Sequence, residues 1–340
     1  MNLNKEHSGL CYDDILLVPA DICNVDSRSD VSLKKKIGNP NNKEAWIEFK
    51  VPVVIAPMEN ISSKKILTEM IGFGGTGFIQ RFQPMENRLQ QLKELNYEVG
   101  FSLNIEESEN QDLLDNLISN GCTLILLDTA FAHTSIVGNA VKSLRSRIPN
   151  NVHIMTGNVS SYESYKYIMD CGADSVRVGI GGGAACITRL VTGHGVPVLS
   201  SIMSIYEKVK DDEINGLIAD GGIKETGDIV KALAAGASAV MMGTFFAGHD
   251  ECDGNAGEFR GLASKELNNE VDPDNKYPHV EGVSGTVKLK GPILSTLLDI
   301  QNNIRSACSY SGILDINDLP KKTTYIVISA LSMNESSSRI

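Results

Sequence analysis

Between about residue 50 and residue 250 the chain alternates two hydrophobic patterns. The first consists of short runs dense in apolar and β-branched residues. These are VPVVIAPM from Val51, TGFIQ from Thr76, EVGFSLN from Glu98, LILLD from Leu124, VHIMTGN from Val152, SVRVGI from Ser175, GLIADGG from Gly216 and AVMMGT from Ala239. The second consists of amphipathic stretches lying between them, among them SSKKILTEMI, ENRLQQLKEL, HTSIVGNAVKSLRSRI, SYESYKYIMDCGA and TGDIVKALAAGA. Short runs of the first kind predict strands, and the amphipathic stretches predict helices. A strand-then-helix repeat implies parallel strands with crossover helices. About eight such units close a (β/α)8 TIM barrel. A further helix, ILSTLLDIQNNIRSACSYSG, is predicted from Ile293.

The predicted C-terminal strand ends carry polar residues and glycines: Met58, Gln80-Arg81, Asp128, Gly157-Asn158, Gly179 to Gly183, Asp220-Gly221-Gly222 and Gly243-Thr244. Barrel enzymes build their sites on that face. Any one of these residues is equally well explained as turn chemistry; their convergence points to a site. Two stretches break the alternation, from Ala184 to about Ser201 and from Gly248 to Gly291, and both are expected to cover the site.

Composition narrows the class. A chain of 340 residues with a 42% hydrophobic share suits a single barrel domain over residues 1–340, with an N-terminal extension and the two covering insertions. A net charge of −11 argues against a nucleic-acid-wrapping or membrane-coating protein, since both need basic surface. Seven cysteines without CxxC spacing and six histidines without HExxH make a disulfide framework or a structural zinc site unexpected. MNLNKEHSGL has no apolar signal region, and no apolar run reaches membrane-spanning length. The chain reads as reduced and cytoplasmic.

The stretch RVGIGGGAACITR, Arg177 to Arg189, bears the most chemistry. Gly179, Gly181, Gly182 and Gly183 let the backbone approach a ligand or ion closely. Cys186 follows at the end of that loop. A thiol there becomes a nucleophile if backbone donors or a helix start favour its thiolate. Inward carbonyls of such a loop suit a monovalent cation. The alternative is a buried structural cysteine. Gly221-Gly222 and Gly243-Thr244, ending the predicted seventh and eighth strands, match the place where barrels cradle phosphate. Asp220 beside them is suited to accept two ribose hydroxyls. Here the bland alternative is a pair of tight βα turns.

With these residues in place, the chain resembles the IMP dehydrogenase/GMP reductase family. The likeness rests on GLCYDDILLVPA followed by SRSDVSL, on GGGAACIT, on IADGGIKETGDIVKALAAGASAVMMGT and on VEGVSG followed by KGPI, and it spans Tyr12 to Leu314. The resemblance implies a (β/α)8 barrel forming homotetramers and a purine nucleotide monophosphate as substrate. It further implies attack on purine C2 by Cys186 to give a covalent thioimidate, and a nicotinamide cofactor for hydride transfer. Thr188 and Glu281 are then the proton-handling pair, and Arg81 fills a cationic catalytic position. Met58, Asp220, Gly221, Gly222, Gly243, Thr244, Arg260, Gly261 and Ser264 fall to the nucleotide. Asp128, Thr129, Ala130, Gly157, Asn158 and Gly179 fall to the cofactor. Gly181, Gly183 and Cys186 supply carbonyls to a monovalent cation, K+.

Within the family the chain resembles the reductase branch. FRGLASKELNNEVDPDNKYPHVEG is short and lacks the Arg-Tyr pair of the dehydrogenase flap, and the inserted regulatory domains of most dehydrogenases are missing. TGHGVP, AGHDE, IRSACSYSG and FIQRFQP are similar to reductase segments. The expected reaction is reductive deamination of GMP to IMP and ammonia with NADPH; the residues do not separate NADPH from NADH. The alternatives are a dehydrogenase that takes IMP to XMP with NAD, and a silent nucleotide-binding paralogue. Three positions depart from the pattern. Ala184 stands where the family has Ser or Lys aimed at the phosphate, Gln80 replaces a usual His, and Gly182 a common Pro. Weaker GMP binding, or a modified nucleotide, is expected from them.

Overall fold

The structure, a computed structural model, describes residues 9–209, 216–253, 257–261, 263–266, 280–333 and 335. Eight strands form a closed parallel barrel: β1 (Val53–Ile55), β2 (Thr76–Ile79), β3 (Gly100–Leu103), β4 (Leu124–Asp128), β5 (His153–Val159), β6 (Ser175–Val178), β7 (Leu217–Asp220) and β8 (Ala239–Met242). They pair in chain order, and β8 closes on β1 with Val240 beside Val53 and Met242 beside Ile55. Nearly every strand residue is buried. That burial on both faces is why the strands read as apolar runs and not as alternating patterns.

The longer helices among the described residues are α1 (Lys64–Phe73), α2 (Met85–Glu94), α3 (Gln111–Ser119), α4 (Ser135–Arg147), α5 (Tyr162–Asp170), α6 (Val198–Val209), α7 (Thr226–Ala234) and α8 (Ile293–Tyr310). Apolar stripes pack them into the core; α1, for example, buries Ile66, Leu67 and Met70. Several begin on side-chain caps that satisfy otherwise orphaned N–H groups. Ser63 caps α1, Asn110 caps α3 and Thr134 caps α4.

Two expectations need adjusting. The covering stretch after β6 is shorter than its sequence suggests, because α6 already starts at Val198. Its VLSSIMSIYEKV buries Leu199, Ile202 and Ile205, so helix periodicity begins inside the stretch read as loop. The second covering stretch contains an antiparallel pair, Glu258–Arg260 with Ser284–Thr286. Residues 254–256, 262 and 267–279 of it lie outside the described residues. Ile15–Val18 also pairs antiparallel with Thr324–Val327, joining an early segment of the chain to a late one. Among the described residues no helix is long and apolar enough to cross a membrane.

Candidate active site

The loop after β6 is packed backbone to backbone against the loop after β7. A Cβ on Gly179 would lie 2.0 Å from the Asp220 carbonyl oxygen, and one on Gly221, whose φ is +102°, would lie 3.0 Å from the Gly183 nitrogen. Glycine is required because no side chain fits between two main chains this close. The Gly183 carbonyl then accepts from the Cys186 N–H at 3.0 Å, turning the chain so that Cys186 stands half-buried at the barrel mouth.

The insertion after β8 returns across this turn as a strand-like lace. Val283 N–H donates to the Ala185 carbonyl at 2.9 Å and Ile187 N–H to the Glu281 carbonyl at 2.8 Å, with Cys186 facing Gly282 in an antiparallel bridge. A second layer holds the lace itself: Gly261 N–H donates to Val283 at 3.0 Å and Glu281 N–H to Ala263 at 3.1 Å. As a result three predicted residues meet. The Cys186 thiol donates to the Thr188 hydroxyl at 3.2 Å, and that hydroxyl donates to a Glu281 carboxylate oxygen. Such a chain of thiol, hydroxyl and carboxylate can pass a proton between a leaving group and a carboxylate.

Next to this loop lie the nucleotide candidates. Gly221-Gly222 follow β7, and Gly243-Thr244 open a tight turn after β8 in which Phe246 N–H donates to Gly243 at 2.8 Å. Met58 packs its sulfur on Gly243, where a Cβ would be only 2.2 Å away. Tyr12 lies beneath Gly222, which ties the N-terminal segment to this loop. Arg260 pairs with Glu59 at 3.5 Å, joining the insertion to the loop after β1, and Ser264 is fully buried under the lace near Gly282. Ala184 is exposed at the tip of the loop ahead of Cys186.

The third group of candidates is not a set of free strand ends but one charge network. Asp128 accepts from Arg177 at 2.7 Å and from Arg81 at 3.2 Å. Arg177 also lies 3.8 Å from Asp220, which accepts from Asn158 at 2.8 Å. Asn158 donates in addition to the Gly179 carbonyl at 2.9 Å, and the Thr129 hydroxyl donates to the Gly157 carbonyl at 2.6 Å. Burial opposes ionisation of Asp128, but the two guanidiniums outweigh it and hold the carboxyl below the ordinary range. For Asp220 burial prevails over Arg177 and Asn158 and pushes the carboxyl up. Arg81 stacks on Phe82 at 4.4 Å and takes Asp128 as its partner, so it belongs to this network and not to the Cys186 trio. Arg177, 3% exposed, is the residue the sequence reading left without a role. The signal was present, since an arginine inside the apolar strand SVRV has to be paired.

A laced cysteine loop at the mouth of a (β/α)8 barrel places the chain among barrel proteins, and the comparisons give the family. The family model described as "IMP dehydrogenase / GMP reductase domain" matches residues 9–339, and the chain belongs to that family. A GMP reductase of Lactobacillus acidophilus is 33% identical over 325 residues, covering 93% of this chain and 94% of that protein. A GMP reductase of Leishmania major is 35% identical over 257 residues, 71% of this chain and 52% of that one. An inosine-5'-monophosphate dehydrogenase of Rhizobium tropici is 38% identical over 240 residues. There the match covers 65% of this chain and spans about half, 48%, of the dehydrogenase.

Proposed function

We propose that the chain is a GMP reductase, converting GMP to IMP and ammonia. The observation that carries the reading is the Cys186–Thr188–Glu281 chain, assembled by the backbone lace between residues 185–187 and 281–283. End-to-end likeness to GMP reductases supports it. The Cys186 thiol gives its proton through Thr188 to Glu281, and the sulfur bonds to purine C2, whose C=N π pair moves onto the ring nitrogen and leaves the carbon tetrahedral. Thr188, backed by Glu281, delivers the proton that lets the exocyclic nitrogen depart as ammonia and leaves a thioimidate. NADPH, when bound, would supply hydride chemistry at C2. Gly221, Gly222, Gly243 and Thr244 would hold the phosphate through N–H groups, with Met58, Arg260, Gly261 and Ser264 closing around the nucleotide. Asp220 would accept the ribose hydroxyls.

Asp128, Thr129, Ala130, Gly157, Asn158 and Gly179 fit a dinucleotide. A charged carboxylate for hydroxyl groups adjoins exposed Ala130 and Phe131, the latter 52% exposed, which offer an apolar shelf to a ring. The Gly181, Gly183 and Cys186 carbonyls are neutral oxygens from one loop, a donor type suited to K+. They would supply part of a coordination shell. Homotetrameric assembly and a cytoplasmic setting complete the proposal.

A second reading, IMP dehydrogenation with NAD, is favoured by the 38% identity to the Rhizobium tropici dehydrogenase. One experiment separates the two: ammonia release from GMP with NADPH, run beside NADH formation from IMP with NAD, each also with Cys186→Ala. The reductase reading expects ammonia from the parent and none from the variant. NADH formation without ammonia release would hand the chain to the second reading.

A further inference from the structure

Asp128, Gly157 and Arg177 stand in register across β4, β5 and β6. A Cβ at Gly157 would lie 2.6 Å from that of Arg177, so the missing side chain opens the middle strand. The Arg177 side chain crosses it, spanning two strand spacings of about 4.8 Å each to reach Asp128. On its other side Arg177 approaches Asp220 on β7. One buried guanidinium thus stands between a carboxylate on the dinucleotide side and a carboxylate on the nucleotide side. We propose that Arg177 is a positioning residue that ties the two halves of the mouth together, holding Asp220 and Asp128 in one fixed arrangement. This rests on the functional reading for the names of the two halves, though not for the pairing itself.

The physical need is plain. Two carboxylates facing one small, partly desolvated space repel each other, and each makes the other harder to ionise. The groups facing Asp220 are Arg177 from β6, Asn158 from β5, Asp128 from β4 and the phenol of Tyr12 from the N-terminal segment. Asp128 has Arg81 as a second cation, whereas among the described residues Arg177 is the cation that acts on Asp220. Loss of Arg177 would therefore fall mainly on Asp220, and removal of the Asp128 charge would relieve it.

The test uses full-length protein carrying carbon-13 at aspartate carboxyl carbons, with the Asp220 resonance identified by its loss in Asp220→Asn. The Asp220 titration midpoint is expected to rise by about one pH unit or more in Arg177→Gln, and to fall back by about half that or more in Arg177→Gln/Asp128→Asn. A midpoint that stays put in the first variant, or does not return in the second, overturns the proposal. Should Arg177→Gln fail to melt cooperatively, Asp128→Asn alone decides. Arg177 then serves Asp220 only, the midpoint falls by about half a pH unit, and an unchanged value overturns the idea. Calorimetry with GMP runs in parallel. Affinity is expected to weaken about tenfold in Arg177→Gln and to recover in the double variant, a rescue that a merely structural arginine would not show. If the parent does not bind GMP while the Asp220 midpoint still moves, the functional reading fails and the pairing stands.

Discussion

Thr188 and Glu281 lie 93 positions apart in the chain and share a hydrogen bond at the mouth of the barrel. Neither residue's local sequence requires it. The bond exists because residues 281–283 add as a lace to residues 185–187, so main-chain hydrogen bonds fix the spacing before any side chain is chosen. Backbone pairing of this kind sets position to a few tenths of an ångström, which is the precision that proton transfer demands. The bond also explains how an otherwise ordinary loop glutamate comes to face a thiol.

If that chain handles the proton of departing ammonia, each link should matter for turnover and little for binding. Thr188→Val and Glu281→Gln are each expected to lower kcat for GMP by about 10²- to 10³-fold. The GMP dissociation constant measured by calorimetry should stay within about threefold. Both variants should lose about as much as the pair combined, because they act as one unit. Turnover near the parent rate in both would remove the pair from the chemistry.

Ala184 offers a gain-of-affinity test. It is exposed at the tip of the loop ahead of Cys186 and has no side-chain donor. A hydroxyl there would add one hydrogen bond to a charged phosphate, worth about 1.5–3 kcal/mol. Ala184→Ser is therefore expected to lower the Michaelis constant for GMP about tenfold or more without raising kcat. Steady-state kinetics with varied GMP reads it directly, and an unchanged constant would place the phosphate elsewhere.

The contrast between what was legible and what was not follows physical lines. All eight barrel strands announce themselves, because strands buried on both faces need uninterrupted apolar runs, LILLD and AVMM being the clearest. Helix α3, QDLLDNLIS, carries the same kind of stripe in Leu113, Leu114 and Leu117. The pairing of Ile15–Val18 with Thr324–Val327 escaped because no local pattern encodes a partner some three hundred residues away. In the site, the cysteine loop and glycine turns were legible because their chemistry is local. The Arg81–Asp128–Arg177–Asp220 network was not, because its members sit on four different strands or strand ends and only register brings them together.

The contact between the loops after β6 and β7 predicts a stability effect separate from chemistry. At Gly179 an added Cβ would meet the Asp220 carbonyl oxygen at 2.0 Å, and that oxygen belongs to main chain that cannot rotate away. Gly179→Ala is expected to destabilise by about 3 kcal/mol, and to lower Tm by at least about 5 °C in differential scanning calorimetry. A Tm within about one degree of the parent would mean that the two loops yield easily, and the rigidity ascribed to the cysteine loop would go with it.

The last prediction concerns His153, on β5, which is fully buried. Its Nδ1 lies 2.8 Å from the Ala45 carbonyl and its Nε2 2.7 Å from the Ser175 hydroxyl. A carbonyl only accepts, so Nδ1 carries the hydrogen; in the neutral ring Nε2 then accepts from the Ser175 hydroxyl. Burial pushes its pKa down to about 4, against the pull of the Ala45 carbonyl and with a further push from Arg145. The unfolded chain takes up a proton at this histidine as pH falls below about 6.5, whereas the folded chain resists until about 4. The depressed value thus contributes stability that is present above about pH 6.5 and is lost as pH falls toward 4, up to about 3 kcal/mol in all. In urea melts between these pH values, the stability difference between the parent and His153→Asn should shrink by roughly that amount, since carboxylates elsewhere titrate alike in both. A difference that stays constant with pH would mean the ring is charged in the fold, and that Ser175 and Ala45 hold it another way.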